Sequence, residues 1–184
     1  MSTYAKIISV GQYKPERQIT NDEIDEMFGA GTGETIYNFV GAKNRYIMAD
    51  DENTSDLAAN AGKVAIENAG ISAEDIDLLI LGTDTPDYMT PHTSAIVQHK
   101  LGAKNAAIFD INAACASWLT GIDIAAKQIM TDDDIKTVLV AGGYGMSRFN
   151  PKDNPNLFPV FGDGGGAVVM KATEEPGYLG SVFI

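Results

Sequence analysis

The chain carries one cysteine, Cys115, and two histidines, His92 and His99, among 184 residues. A lone thiol rules out an internal disulfide framework and suits a reducing compartment. With no CxxC or HxxxH spacing, these three side chains speak against a structural zinc site. Cations are scarce too: 13 Lys and Arg stand against 25 Asp and Glu, a formal net charge of −12. They are scattered, so nothing resembles a basic patch and the chain as a whole repels a polyphosphate backbone, which speaks against nucleic-acid binding. Long apolar runs are also missing. The start MSTYAKIISVGQYKP holds no signal-peptide core, and no window approaches a membrane span. The expectation is a soluble, cytosolic protein without a metal.

What is present is ample for a packed core: 45% of the residues are hydrophobic, in a length that fits one domain over residues 1–184. Tyr4 to Gln12 reads as a strand ended by Lys14-Pro15, and Thr20-Asn21-Asp22 offers caps for a short helix to Phe28. The run Gly29 to Gly33 follows a helix rather than a strand, so it reads as a turn and not as a dinucleotide loop. Thr54-Ser55 caps a helix running to about Asn68, and Ala69-Gly70 ends it. Ile76 to Leu81 is a continuous apolar run suited to a strand covered on both faces. A polar loop, a helix from Ser94 to Leu101 and a second buried strand from Ala106 to Ile111 follow. Beyond the next helix, Ile135 to Ala141 is a third strand closed by Gly142-Gly143. A loop spans Arg148 to Pro159, and FGDGGGAVVM and YLGSVFI read as two last strands. Strands alternating with helices predict an α/β layered sheet, mostly parallel, with helices on both faces.

Cys115 falls where a strand gives way to a helix, in the first turn by its spacing to Trp118, Leu119, Ile122 and Ala125. A helix N-terminus favours a thiolate and offers N–H groups to an oxyanion, which suits a covalent acyl-carrying nucleophile. Free cysteines are more often inert, buried apolar groups, and position alone leaves both readings open. His92 and His99 read as surface or packing residues rather than as its base. Phe161 to Met170, with three successive glycines, reads locally as a tight turn or bulge leading into a strand, with Asp163 bonding turn amides.

Four collinear segments carry a family likeness: YAKIISVGQYKPERQITNDEI, IDLLILGTDTPDYMTPHTSAIVQHKLGA, FDINAACASWLTGIDIA and FGDGGGAVVM. Together they resemble the N-terminal half of β-ketoacyl-acyl-carrier-protein synthase III, of the thiolase superfamily. The resemblance implies a thiolase-like α/β half, a mixed five-stranded sheet between helix layers. It implies that Cys115 takes an acyl group from acyl-coenzyme A as a thioester and condenses it with malonyl-acyl carrier protein, releasing carbon dioxide, in fatty acid biosynthesis. The Cys115 N–H becomes one oxyanion donor, and no cofactor is called for. Candidate substrate-binding residues are Thr90 and Asn112. Thr90 lies in the segment Tyr88 to His92, matching a loop that crosses the family's homodimer to line the partner's acyl pocket, and its small side chain leaves room for a longer or branched acyl chain.

Two departures accompany the likeness. The family's decarboxylating histidine and asparagine belong to a C-terminal half, so the resemblance implies that this chain does not complete the condensation by itself. The tryptophan and arginines that clamp coenzyme A align near Thr35, Phe39 and Asn156, which cannot reproduce that clamp. The donor is then an acyl-coenzyme A bound differently, or an acyl carrier protein. A 3-hydroxy-3-methylglutaryl-coenzyme A synthase, a specialised-metabolite acyltransferase on the same scaffold, and a non-catalytic partner subunit are the alternatives.

Overall fold

In the computed structural model, which describes residues 3–182, seven strands and five α-helices build a five-stranded main sheet, a two-stranded sheet and the helices packed on them. They are β1 (Tyr4–Tyr13), β2 (Arg17–Thr20), α1 (Asn21–Phe28), α2 (Thr32–Val40), β3 (Asn44–Ile47) and α3 (Thr54–Ala69). There follow β4 (Leu78–Gly82), α4 (Thr93–Leu101), β5 (Ala107–Ile111), α5 (Ser117–Thr131), β6 (Thr137–Gly145) and β7 (Asp163–Thr173). The five-stranded sheet has the order β1-β7-β6-β4-β5. Both pairs involving β7 are antiparallel, and β4 pairs parallel with β6 and β5. The sheet is therefore mixed, as the family likeness implies, rather than mostly parallel as strand-helix alternation alone suggests. The difference comes from the long connection between β6 and β7, which carries no crossover helix and returns the chain antiparallel.

Alternate residues of the sheet feed two cores. Leu79, Leu81, Leu139, Ala141, Ala167 and Val169 pack against α3 and Val97 of α4. Leu78, Ile80, Val138, Val140, Val168 and Met170 pack against Ala125, Ala126 and Ile129 of α5 on the other side. A strand covered on both faces must be apolar at every position, and every residue of β4 is buried. The small layer β2-β3 with α1 holds a separate cluster of Ile19, Ile24 and Phe158.

Helix starts follow local chemistry. Thr20 and Glu23 form a reciprocal box, Glu23 N–H donating to Thr20 Oγ1 (3.3 Å) and Thr20 N–H to Glu23 Oε2 (2.9 Å). The cap of α3 is Asn53, one residue before the pair expected from the sequence, and its N–H donates to Asp56. The N-terminus of α4 is held from outside: Asp110 of β5 accepts from the N–H groups of Thr93 (2.9 Å) and Ser94 (2.8 Å).

Several sequence expectations are corrected. Gly29 to Gly33 is not merely a turn, because α2 begins at Thr32, after Gly31 in a left-handed conformation. The short strands β2 and β3 lie in segments to which the sequence patterns assign no element. Strand β5 is an edge strand, half-buried or exposed, since only β4 flanks it. Residues 178–182 form no strand. Tyr178 N–H donates to Ala5 O (2.7 Å), while Leu179 and Val182 stay exposed; residues 183–184 lie outside the described residues. This tail is tied to α5 through Asp123, which accepts from the Tyr178 hydroxyl and from Lys127 Nζ (2.8 Å).

The successive glycines of β7 sit inside the strand, where α3 crosses at backbone contact. A Cβ on Gly165 would lie 2.0 Å from Leu57 O, and one on its strand partner Gly143 would lie 2.6 Å from Thr54 O. A Cβ on Gly166 would meet nothing within 4 Å. Gly165→Ala is expected to lower the thermal midpoint strongly by lifting α3, whereas Gly166→Ala should leave stability within about 0.5 kcal/mol of the parent; a pair of calorimetric scans checks this.

Asp123 supplies a pH-dependent contribution. Burial works to raise its carboxyl, but bonds from Lys127, Ser181 and Tyr178 outweigh this and bring it down from 3.8 to about 2. A carboxyl lowered by folding contributes stability above its unfolded pKa and loses it as pH falls through the folded one. The stability gap between the parent and Asp123→Asn is expected to narrow as pH falls from about 4 to about 2, read from denaturant midpoints across that window.

Candidate active site

The C-terminal ends of β4, β5 and β6 meet at one edge of the sheet, and the turn between β5 and α5 carries Cys115 there. The thiol is exposed rather than buried as a core group. It stands two residues before α5, with Ala116 as the cap, rather than inside the first turn. The break comes from Ala114, whose φ of +48° no helix accommodates. Local hydrogen bonds hold that strained residue. Ser117 Oγ donates to Ala114 O (2.6 Å) and accepts from Ala113 N–H (2.8 Å), while Asn112 Oδ1 accepts from Ala114 N–H (3.1 Å). Asn112, expected to bind substrate, is thus engaged in shaping the turn that carries Cys115.

Cys115 opens onto a cavity of about 340 Å³ lined by Trp118, Gly142, Tyr144, Gly164 and Gly166. The glycines leave its floor free of side chains. The approach of α5 to this floor is close: a Cβ on Gly82 would lie 2.9 Å from Trp118 N, and one on Gly142 would lie 3.1 Å from Trp118 Cδ1. Tyr144 reaches the cavity from β6. Burial first, then the charges of Asp84 and Cys115, push its phenol up to about 12, so it stays protonated at neutral pH.

The loop above β4 and the end of β6 are locked together. Thr83 Oγ1 donates to Gly143 O (2.7 Å), and Thr85 Oγ1 accepts from Gly145 N–H (3.0 Å). Asp163, read from the sequence as bonding amides of a local glycine turn, instead lies buried at the start of β7 and bonds groups distant in sequence. It accepts from the N–H of Met48 (2.8 Å) and of Ser147 (2.9 Å) and from Ser147 Oγ (2.5 Å), joining β3, the segment after β6 and the start of β7. Sequence reasoning missed Tyr144 and Asp84; Asp84 lies inside a family-likeness segment but drew no reading of its own, and the pairing of β4 with β6 brings it to Tyr144, which lines the cavity with the thiol.

The other sequence-derived residues lie elsewhere. Thr90 is exposed on the loop before α4 and does not line the cavity. His92 and His99 are exposed, His99 at the end of α4 on the opposite side of the sheet. Thr35, Phe39 and Asn156 are exposed as well. Among the described residues no group of His, Cys, Asp and Glu is arranged to hold a metal, and no helix is long and apolar enough to cross a membrane.

Residues 109–184 match the family model for 3-oxoacyl-[acyl-carrier-protein (ACP)] synthase III, a stretch that holds the thiol, its turn and the glycine floor. The curated β-ketoacyl-[acyl-carrier-protein] synthase III of Xanthomonas euvesicatoria pv. vesicatoria is 40% identical over 96% of this chain. This chain is a relative of the β-ketoacyl-acyl-carrier-protein synthases III. It covers 54% of that Xanthomonas protein, so it spans about half the length of the curated relatives it matches. Among solved structures, the priming β-ketosynthase of the R1128 polyketide pathway superposes with a TM-score of 0.89 at 32% identity, over 95% of this chain and 52% of that one. The 3-oxoacyl-[acyl-carrier-protein] synthase III of Aquifex aeolicus gives 0.87 at 36% identity, over 93% and 55%. The thiolase-like α/β fold of the synthase III relatives is therefore the fold of this chain.

The buried Asp163 makes its own test of the floor. Asp163→Ala orphans two buried N–H groups and is expected to cost about 3 kcal/mol, measured by chemical denaturation.

Proposed function

We propose that this chain is the nucleophile-bearing N-terminal domain, residues 1–184, of a β-ketoacyl-acyl-carrier-protein synthase III-type acyltransferase acting in fatty acid biosynthesis. The observation that carries the reading is an exposed thiol at a helix start over a glycine floor, in a chain 40% identical to a synthase of that name. The Cys115 thiolate attacks the carbonyl of an acyl thioester, and the oxyanion draws on the Cys115 N–H. The donor thiolate leaves and the acyl group stays on sulfur. Malonyl-acyl carrier protein then loses carbon dioxide, and its carbanion takes the acyl group, freeing the sulfur. A histidine and an asparagine for that second step are supplied from outside these residues, since His92 and His99 do not line the cavity.

The substrates in this reading are acyl-coenzyme A and acyl carrier protein, without a cofactor, and the enzyme is a cytoplasmic homodimer. Thr90 lines the acyl pocket of the partner copy, consistent with its exposure on a projecting loop. A second reading, priming of a polyketide chain by the same chemistry, is favoured by the superposition on the R1128 priming enzyme.

Incubation with acyl-coenzyme A, followed by intact mass spectrometry, is expected to show one acyl adduct that Cys115→Ala abolishes. The same chain is expected not to turn over malonyl-acyl carrier protein at ordinary enzyme rates. Absence of any adduct, with acyl-coenzyme A or acyl carrier protein as donor, would instead support a non-catalytic subunit.

A further inference from the structure

Cys115 shares its cavity with a phenol that has no settled partner. Gly82 of β4 pairs with Gly142 of β6, so Asp84, just past the end of β4, comes beside Tyr144, which is still in β6 and paired with Gly164 of β7. Thr83 and Thr85 bond to Gly143 and Gly145 between them and hold the two segments in that register. Tyr144 lines the same cavity as Cys115. The Tyr144 hydroxyl and Asp84 Oδ1 are both buried, and neither meets a partner at ordinary hydrogen-bond geometry. Buried polar groups left this way are costly and call for a physical reason. Asp84 and Cys115 are the titratable groups that act on the phenol.

We propose that the Tyr144 hydroxyl donates a hydrogen bond to the Cys115 sulfur and is a catalytic residue of its acylation, with Asp84 a positioning residue that competes for the same phenol proton. The inference rests on the acyl-transfer reading above. Since the phenol stays protonated at neutral pH, it acts as a donor and no proton leaves it. With the sulfur neutral, the phenol turns to the Asp84 carboxylate. When the sulfur becomes anionic, or carries charge as the acyl donor is attacked, the same O–H turns to it. A charge-assisted bond of this kind is stronger than a neutral one and favours the charged form.

Two substitutions carry opposite signs. Tyr144→Phe removes the donor and keeps the ring. Alkylation of Cys115 by iodoacetamide at pH 7 is expected to slow by about tenfold, with its rate–pH profile displaced to higher pH by roughly one unit. Asp84→Asn replaces the competing carboxylate by a weaker, neutral acceptor and removes a nearby negative charge, so alkylation is expected to quicken and the profile to move to lower pH. An unmoved profile in Tyr144→Phe overturns the proposal. So does slower alkylation in Asp84→Asn, which would make the carboxylate a proton acceptor working through the phenol. Should Tyr144→Phe not fold, judged by its thermal melt, Asp84→Asn decides alone. Alkylation needs no acyl donor. Profiles that move while acyl-coenzyme A leaves no adduct sink the acyl-transfer reading, whereas an adduct with unmoved profiles sinks this inference.

Discussion

The nearness of two helix backbones to the sheet governs this structure. On one face α3 crosses β6 and β7 at Gly143 and Gly165, where any side chain would strike the carbonyls of Thr54 and Leu57. On the other, α5 begins against Gly82 and Gly142. Helices on a sheet ordinarily ride on side chains; here glycine removes that layer at the ends of β4 and β6. The thiol-bearing turn can then sit directly over the strands, and the helix start that carries it cannot shift without lifting the core beneath. Glycine inside strands costs backbone entropy, and the close packing it permits offsets that cost.

The geometry of the turn follows from the same constraint. A helix that starts so close to Gly82 leaves no room for a regular first turn before it, and the chain reaches β5 through Ala114 at positive φ. Such a residue persists only when its surroundings hold it. Ser117 and Asn112 do so with side-chain bonds to the backbone on either side. The outcome is an exposed sulfur on a hydrogen-bonded turn, with Asp163 fixing the start of β7, next to the glycine floor, through three bonds of its own.

What the sequence disclosed divides along the range of the physics involved. Signals that act within a few residues were legible: the cap candidates Thr20 to Asp22 ahead of α1, the apolar run of β4, the glycine ending α3. The direction of β7 was not, because antiparallel return depends on a long connection whose path no local pattern encodes. Helix α2 was hidden by its β-branched and aromatic residues, and by a glycine start that imitates a loop. FGDGGG looked like a turn because a run of glycines permits turns; its use against α3 depends on a partner more than a hundred positions away. Cys115 was found, yet its exposure and its neighbours Tyr144 and Asp84 come from β4–β6 pairing, which brings together residues 60 positions apart.

The openness of the cavity bears on how the proposed chemistry is divided. Every residue from Ala113 to Ala116 is exposed, as is Leu119 on the following turn. An acyl thioester on so exposed a sulfur lies open to water, and covalent catalysis by acyl transfer depends on excluding it. This chain supplies the mount, the floor and a neutral donor, all of which act on the sulfur from beneath. Among the described residues, no histidine lines the cavity to move a proton. A phenol raised to about 12 suits that division. It steadies charge on the sulfur through acylation without itself trading protons, and so leaves the acid–base work to other groups.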